Sequence, residues 1–389
     1  MFVDENSDAH LAVSDNQSEV MRCSTPRVAI AHDYLTQRGG AEKVVLSLAR
    51  AFPDAPIYTL LYQPEETYPE FREMNIVTSP LNRVALFRKD HRAALPILPI
   101  AASQMCIDDA DIVVVSSSGW AHGFRTRGGR KLVYCYSPAR WLYMSDLYLG
   151  DNASFLKRAA LRLLGPVLRR WDAWSAAGCD RYLAISSVIE ERIQNVYGMS
   201  STIVPAPVHA PHDSLLSSMP AGFPEEQSFF LCISRLLAYK NVEAIVEAFR
   251  GTGYRLVIVG RGPEAGRLQS IKPDNVYMLK DLTDAEMGWL YENCTAVVAA
   301  SYEDYGLTPL EGGMRGKPCA VLRWGGFLDT VSEDVNGVYF DRPEPELIRR
   351  AVEDLAIREW DPDAIRAHVD QFNERSFISR MRALVREMA

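Results

Sequence analysis

Residues 296–313 read Ala-Val-Val-Ala-Ala-Ser-Tyr-Glu303-Asp-Tyr-Gly306-Leu-Thr308-Pro-Leu-Glu311-Gly-Gly. The apolar run ending at Ala300 has the length and β-branched content of a strand buried on both faces. Gly306 then breaks the chain, and Pro309 stands in the first turn of a helix that begins near Thr308. Strand, glycine loop and helix together form the repeating unit of a doubly wound parallel sheet. Backbone N–H groups at such a helix start favour an anion. Glu303 lies before the loop and Glu311 within the first helical turns. One carboxylate therefore sits beside the anion and one further in, which suits the hydroxyls of a sugar. By residue type alone, both would pass for ordinary surface acids.

The same unit recurs in both directions. Phe229–Ile233 reads as a strand followed by Ser234-Arg235-Leu-Leu-Ala-Tyr-Lys240-Asn241. An Arg fork and a Lys point charge at a strand's carboxyl end can converge on a diphosphate. Tyr254–Val259 is followed by Gly260-Arg-Gly262-Pro-Glu-Ala-Gly266. That string is one residue too long for a dinucleotide fingerprint and contains Pro263, so it reads as a turn feeding a helix. Val276–Leu279 and Cys319–Leu322 complete this half as strands. Asn241–Phe249, Asp284–Asn293, Pro309–Arg315 and Pro345–Ile357 read as its helices.

In the first half, the strand Arg27–His32 leads through Gly39-Gly40 into a helix over Ala41–Phe52. Ile57–Leu61, Ile112–Val115, Leu132–Tyr136 and Arg181–Ile185 read as further strands, and Ser154–Ala176 as a helix. A Pro-rich stretch at 205–227 separates the halves. The expected plan is α/β: an acidic mobile tail (1–26), a Rossmann-like domain (27–204), the linker, a second Rossmann-like domain (228–372), and a C-terminal helix (373–389) returning to the first domain. Ligands of such sheets bind at strand carboxyl ends, so the site is expected in the cleft between the domains.

Composition agrees with two packed cores. Of 389 residues, 48% are apolar and 24% charged, which excludes a disordered chain. No apolar run approaches the roughly 20 residues of a spanning helix, and the acidic start does not resemble a secretory signal. The seven scattered cysteines have no zinc-ligand spacing and suit a reducing cytoplasm. The net charge of −8 divides into −4 over 1–26, +4 over 27–204 and −8 over 205–389. Overall acidity argues against a nucleic-acid partner. Basic residues stand among apolar ones at Arg83, Arg88, Lys89 and Arg92, before Ala93–Ala102, and at Lys157, Arg158, Arg162, Arg169 and Arg170. That is the composition of a membrane-surface patch, and equally of a helix with a charged face.

The combination of Glu303-x7-Glu311, Arg235-x4-Lys240-Asn241, Gly260-x-Gly262-Pro-Glu and Gly39-Gly40-Ala-Glu-Lys resembles the family-4 retaining glycosyltransferases of GT-B fold, over about residues 27–385. His32-Asp-Tyr-Leu and Cys135-Tyr-Ser-Pro138-Ala-Arg140-Trp-Leu-Tyr resemble the branch of O-antigen and exopolysaccharide mannosyltransferases, with Tyr136 where that branch has His.

The resemblance implies roles. Arg235 and Lys240 would hold the donor diphosphate and Glu311 the ribose. Glu303 would bind the transferred sugar, and the backbone of Gly306, Leu307 and Thr308 would meet phosphate or sugar. The base would be read near Lys280. Gly40 would approach the donor. Gly39, Tyr136 and Arg140 would lie on the acceptor side. His122, in Gly119-Trp-Ala-His122-Gly, would stand near the sugar's C6 hydroxyl and anomeric region.

The implied reaction is retaining transfer of a hexose, most simply mannose from GDP-mannose, to a lipid-linked oligosaccharide at the inner face of the plasma membrane, without metal or other cofactor. A metal-dependent alternative would need an Asp-x-Asp motif. Asp109-Ala-Asp111 fits that string, but it precedes a strand's amino end and reads as solvated. A UDP-sugar donor, a soluble acceptor, a nucleotide-sugar 2-epimerase and an inactive sugar-nucleotide scaffold are the competing readings.

Overall fold

A computed structural model describes residues 26–144, 155–209, 217–221, 223 and 228–389. The expected tail, much of the expected linker, and the side chains of Arg92, Lys157 and Arg158 lie outside the described residues.

Among the described residues the first domain holds nine strands: β1 (Val28–His32), β2 (Ile57–Thr59), β3 (Ile76–Thr78), β4 (Cys106–Ile107), β5 (Ile112–Ser117), β6 (Arg125–Thr126), β7 (Arg130–Cys135), β8 (Arg181–Ala184) and β9 (Ser201–Ile203). Seven of them form a parallel sheet in the order β3-β2-β1-β5-β7-β8-β9, and β4 pairs with β6 beside it. The second domain holds β10 (Phe230–Ile233), β11 (Leu256–Val259), β12 (Val276–Leu279), β13 (Ala296–Ala299), β14 (Cys319–Leu322) and β15 (Gly337–Phe340). These form a parallel sheet in the order β12-β11-β10-β13-β14-β15. In both sheets the chain order reverses beside the first strand, between β1 and β5 and between β10 and β13. Such switch points open a crevice at the strands' carboxyl ends. The Gly39-Gly40 turn and the His122, Arg235–Lys240 and Glu303 loops leave these four strands, while the Gly260-x-Gly262 loop leaves β11 and the Tyr136–Arg140 stretch leaves β7.

The central strands are apolar on both faces because helices cover both. All six residues of β5 and all four of β13 are buried. The two cores are separate clusters. One is built around Ile30, Val114 and Leu132, and the other around Leu231, Ile258 and Val297.

Several boundaries differ from the sequence reading. β2 stops at Thr59, and β11 begins at Leu256. The helix expected from Thr308 runs over Leu307–Gly313. Gly306, at φ 90°, is its N-cap. Pro309 fits at the third helical position because the first four N–H groups have no intrahelical acceptor in any case. Helix Glu374–Met388 packs on the first domain. Its Phe377, Met381 and Val385 join that core, and Arg382 Nε donates to the Ala51 carbonyl at 2.8 Å.

Candidate active site

The loop after β10 turns through Ala238–Lys240 into Asn241, whose φ is 53°. Asn241 Nδ2 donates to the carbonyl of Ala300 at 2.8 Å. This bond ties the loop to the carboxyl end of β13. It carries the Lys240 ammonium onto Glu303, to which it donates a hydrogen bond. Ser301 Oγ donates to the same carboxylate oxygen at 2.9 Å. Burial alone would push the Glu303 carboxyl up. The Lys240 charge and hydrogen bond, with Ser301 and the field of Arg140, outweigh that and hold it below the usual glutamate range. Lys240 is almost fully buried, so its charge is weakly screened.

Arg235 is exposed at the start of the same loop, with Nη2 donating to Tyr239 Oη at 3.2 Å. Glu311 accepts from the buried Tyr291 hydroxyl, which fixes one of its oxygens. Gly306 is required by space as well as by φ, because a Cβ there would come within 2.6 Å of the Phe327 ring. Gly260 and Gly262 serve packing: a Cβ on either would strike the carbonyl oxygen of Ser234 or Leu236. The Gly-x-Gly string thus lets the loops after β10 and β11 touch. Lys280 is exposed at the end of β12.

The first domain brings its glycine turn to the same place. A Cβ on Gly40 would lie 3.3 Å from Leu307 Cδ1, so Gly40 faces the start of helix Leu307–Gly313 across the cleft. Gly39 leaves room for Glu42, whose carboxylate folds back over the turn. Burial pushes the Glu42 carboxyl up, against the opposing pull of His32 and of backbone hydrogen bonds. Tyr136 Oη donates to the Ala41 carbonyl at 3.1 Å and lies 2.9 Å from Ser116 Oγ. It therefore ties the end of β7 to the glycine turn. Arg140 reaches the second domain, 3.1 Å from Asp304 Oδ2.

Gly40, Tyr136, Arg140, Lys240, Glu303, Gly306, Leu307 and Thr308 thus converge on the cleft. His122 does not. Its side chain is 3% exposed, with Nε2 3.1 Å from Asp172 Oδ1 and its ring stacked on Trp171. His122 is therefore packed inside the first domain against Asp172 and Trp171 rather than open to the cleft. The reason is Asp33. Its carboxylate accepts from the backbone N–H groups of Ser118, Trp120 and Ala121 at 2.6, 3.0 and 2.6 Å. These bonds wind the loop after β5 inward and turn His122 toward Asp172.

Asp33, Asp172, Arg192 and Asp304 escaped the sequence reading. Asp33 directly follows β1, but the N–H groups it holds lie 85 residues or more away and gave no local signal. Arg192 had none either, because its partner Asp304 lies 112 residues away.

Two Rossmann-like domains with a charged cleft between their switch points define the GT-B fold of glycosyltransferases. Residues 217–369 match the family model described as glycosyl transferases group 1, and residues 38–210 match Glycosyltransferase Family 4. The chain is similar to a GDP-mannose-dependent alpha-mannosyltransferase of Corynebacterium glutamicum, 28% identical over 289 residues, 71% of this chain. It is also similar to the alpha-1,3/1,6-mannosyltransferase ALG2 of Dictyostelium discoideum, 26% identical over 141 residues, 29% of this chain. The matched stretches span 66% and 34% of those relatives' lengths. Among solved structures, a sucrose-phosphate synthase from Thermosynechococcus elongatus superposes with a TM-score of 0.67 at 16% identity, over 93% of this chain and 99% of that one. A lipopolysaccharide outer core galactosyltransferase, WaaB, gives 0.61 at 17% identity, over 91% and 97%. At these identities the superpositions speak for the fold. The chain belongs to the family-4 glycosyltransferases.

Proposed function

We propose that this glycosyltransferase moves mannose from GDP-mannose, with retention, onto a lipid-linked oligosaccharide. The observation that carries the reading is the contact of Lys240 with Glu303 at the β10/β13 switch point, opposite Gly40. Each holds a charge the other neutralises, in a place where the donor can take over both. Phosphate oxygens replace Glu303 at Lys240, and sugar hydroxyls replace Lys240 at Glu303. Arg235 takes the second phosphate, and Glu311, held by Tyr291, takes the ribose.

The bond from the sugar's anomeric carbon to the phosphate oxygen breaks, and negative charge grows on the departing diphosphate. Lys240 and Arg235 stabilise it, a preorganised electrostatic contribution that needs no metal in this account. The acceptor oxygen attacks from the face the diphosphate leaves, and a phosphate oxygen takes its proton. Mannose and guanosine are chosen because two relatives are named as mannosyltransferases, one of them GDP-mannose-dependent.

The lipid-linked acceptor places the first domain at a membrane surface. In helix Phe155–Ala177 the exposed Leu163, Val167, Arg170 and Trp174 fall at i, i+4, i+7 and i+11, one helical face. Arg162 and Arg169 flank them. Arg88 is not part of this face. Its guanidinium is half-buried and donates to Gln63 Oε1 and the Asn82 carbonyl. No helix among the described residues is long and apolar enough to cross a membrane.

A thermal-shift panel of GDP, UDP and their sugars tests the donor. A ligand at 100 times its dissociation constant adds about 2.7 kcal/mol. GDP and GDP-mannose are expected to raise the melting temperature. A shift with uridine nucleotides alone would replace the donor.

A further inference from the structure

Glu303 and Asp304 are adjacent in the chain, and their carboxylates serve different domains. Glu303 meets Lys240 of its own domain. Asp304 crosses the cleft. Its Oδ1 accepts from Arg192 Nη2 at 3.0 Å, and its Oδ2 lies 3.1 Å from Arg140 Nη1. The other arm of Arg192 donates to Ser137 Oγ at 2.6 Å, just ahead of the helix that carries Arg140. The carbonyl of Asp304 accepts from Ser186 Oγ at 2.5 Å.

One carboxylate thus gathers two guanidinium groups of the other domain. The Asp304 and Arg192 side chains are each 11% exposed, whereas Arg140 is 40% exposed and keeps a face open to the cleft. Arg140 also lends its field to Glu303. The two sheets anchor distinct clusters, and Tyr305 and Leu310 of the second domain pack with the first-domain cluster beside Asp304. Breaking this contact therefore acts on how the domains sit together, rather than on the centre of either core.

We propose that Asp304 is a positioning residue: its pairing with Arg192 and Arg140 latches the Glu303 loop to the first domain and fixes Arg140 at the acceptor side. Arg192, nearly dry and doubly bonded, is the fixed half of the latch. Arg140, half open, is the half that an anionic acceptor group can engage while the domains stay closed. This rests on the glycosyl-transfer reading above.

The test is Asp304→Asn, which keeps the shape and removes the charge. Turnover by the full chain should fall, by a factor within the roughly 5- to 150-fold span typical of coupling between sites. The dissociation constant for GDP should stay within about twofold of wild type, because the nucleotide contacts lie in one domain. Small-angle scattering of the variant should show a larger radius of gyration. Should Asp304→Asn fail to fold, Arg140→Gln and Arg192→Gln carry the same comparison, with the larger effect from Arg192. Unchanged turnover together with unchanged scattering would overturn the latch. A wild-type chain that transfers no sugar would defeat the transfer reading instead, and the scattering comparison would still decide the latch.

Discussion

The ammonium of Lys240 donates a hydrogen bond to the carboxylate of Glu303, across 63 residues of chain. Neither group stands on regular secondary structure long enough to set its direction. Asn241 does so for Lys240, through its bond to Ala300. Ser301 does so for Glu303. The pair is built from two loops held together at the ends of neighbouring parallel strands, and its geometry is set before any donor arrives.

Lys240→Ala should reduce turnover by about 10² to 10³, the usual loss when one preorganised charge stabiliser is removed. Glu303 would still accept from Ser301, so the fold should persist. Steady-state rates and a melting curve check both halves. A folded variant with near-normal turnover would take Lys240 out of the mechanism.

Excess chelator should leave initial rates within about twofold of the untreated protein, because two cationic side chains are assigned the diphosphate charge. Complete loss of activity that returns with added divalent metal would count against that assignment.

Glu42 gives a stability prediction with a definite sign. Burial raises its carboxyl above the usual range in the folded protein. The unfolded chain therefore releases this proton first as pH rises, and the folded state becomes progressively less favoured from the ordinary glutamate range up to the raised value. Glu42→Gln should remove that penalty. Its melting temperature should exceed that of wild type at pH 8, with the gap closing toward pH 4. A gap independent of pH would mean that Glu42 is not held in this state.

Much of this fold could be read from hydrophobic runs, because Ile112–Val115 of β5 and all of β13 are apolar and buried. β3 and β9 could not. They are three-residue strands at the sheet edge, and none of their residues is fully buried. At the site, Glu303, Lys240 and Gly306 were legible because strand, loop and helix order places them at a strand's carboxyl end. His122 stands in the same kind of position, yet its side chain is buried against Asp172. Its position after β5 is right for a ligand contact, but Asp33 winds that loop inward, and a carboxylate 85 residues or more from the N–H groups it holds leaves no local trace. Asp304 was quoted within the central motif but not understood, since its partners Arg140 and Arg192 lie in the other domain.

The membrane reading makes its own prediction. Each Lys or Arg near an anionic leaflet contributes roughly 1 kcal/mol, screened over a Debye length of about 10 Å. Arg162→Gln with Arg170→Gln and Trp174→Ala should then strongly reduce flotation on anionic vesicles, and high salt should weaken wild-type flotation. Donor affinity should not change, because the donor loops lie in the other domain. Equal flotation of variant and wild type would clear this face of any membrane role.

Product analysis decides whether the protein transfers mannose with retention from a guanosine diphosphate donor. Purified protein is given GDP-mannose, UDP-glucose and UDP-galactose in turn, with a polyprenyl-diphosphate oligosaccharide, and the new linkage is read by proton NMR. Release of GDP and an α-linked mannose on the acceptor is the expected result. A β-linked product, or transfer from a uridine donor alone, would contradict it.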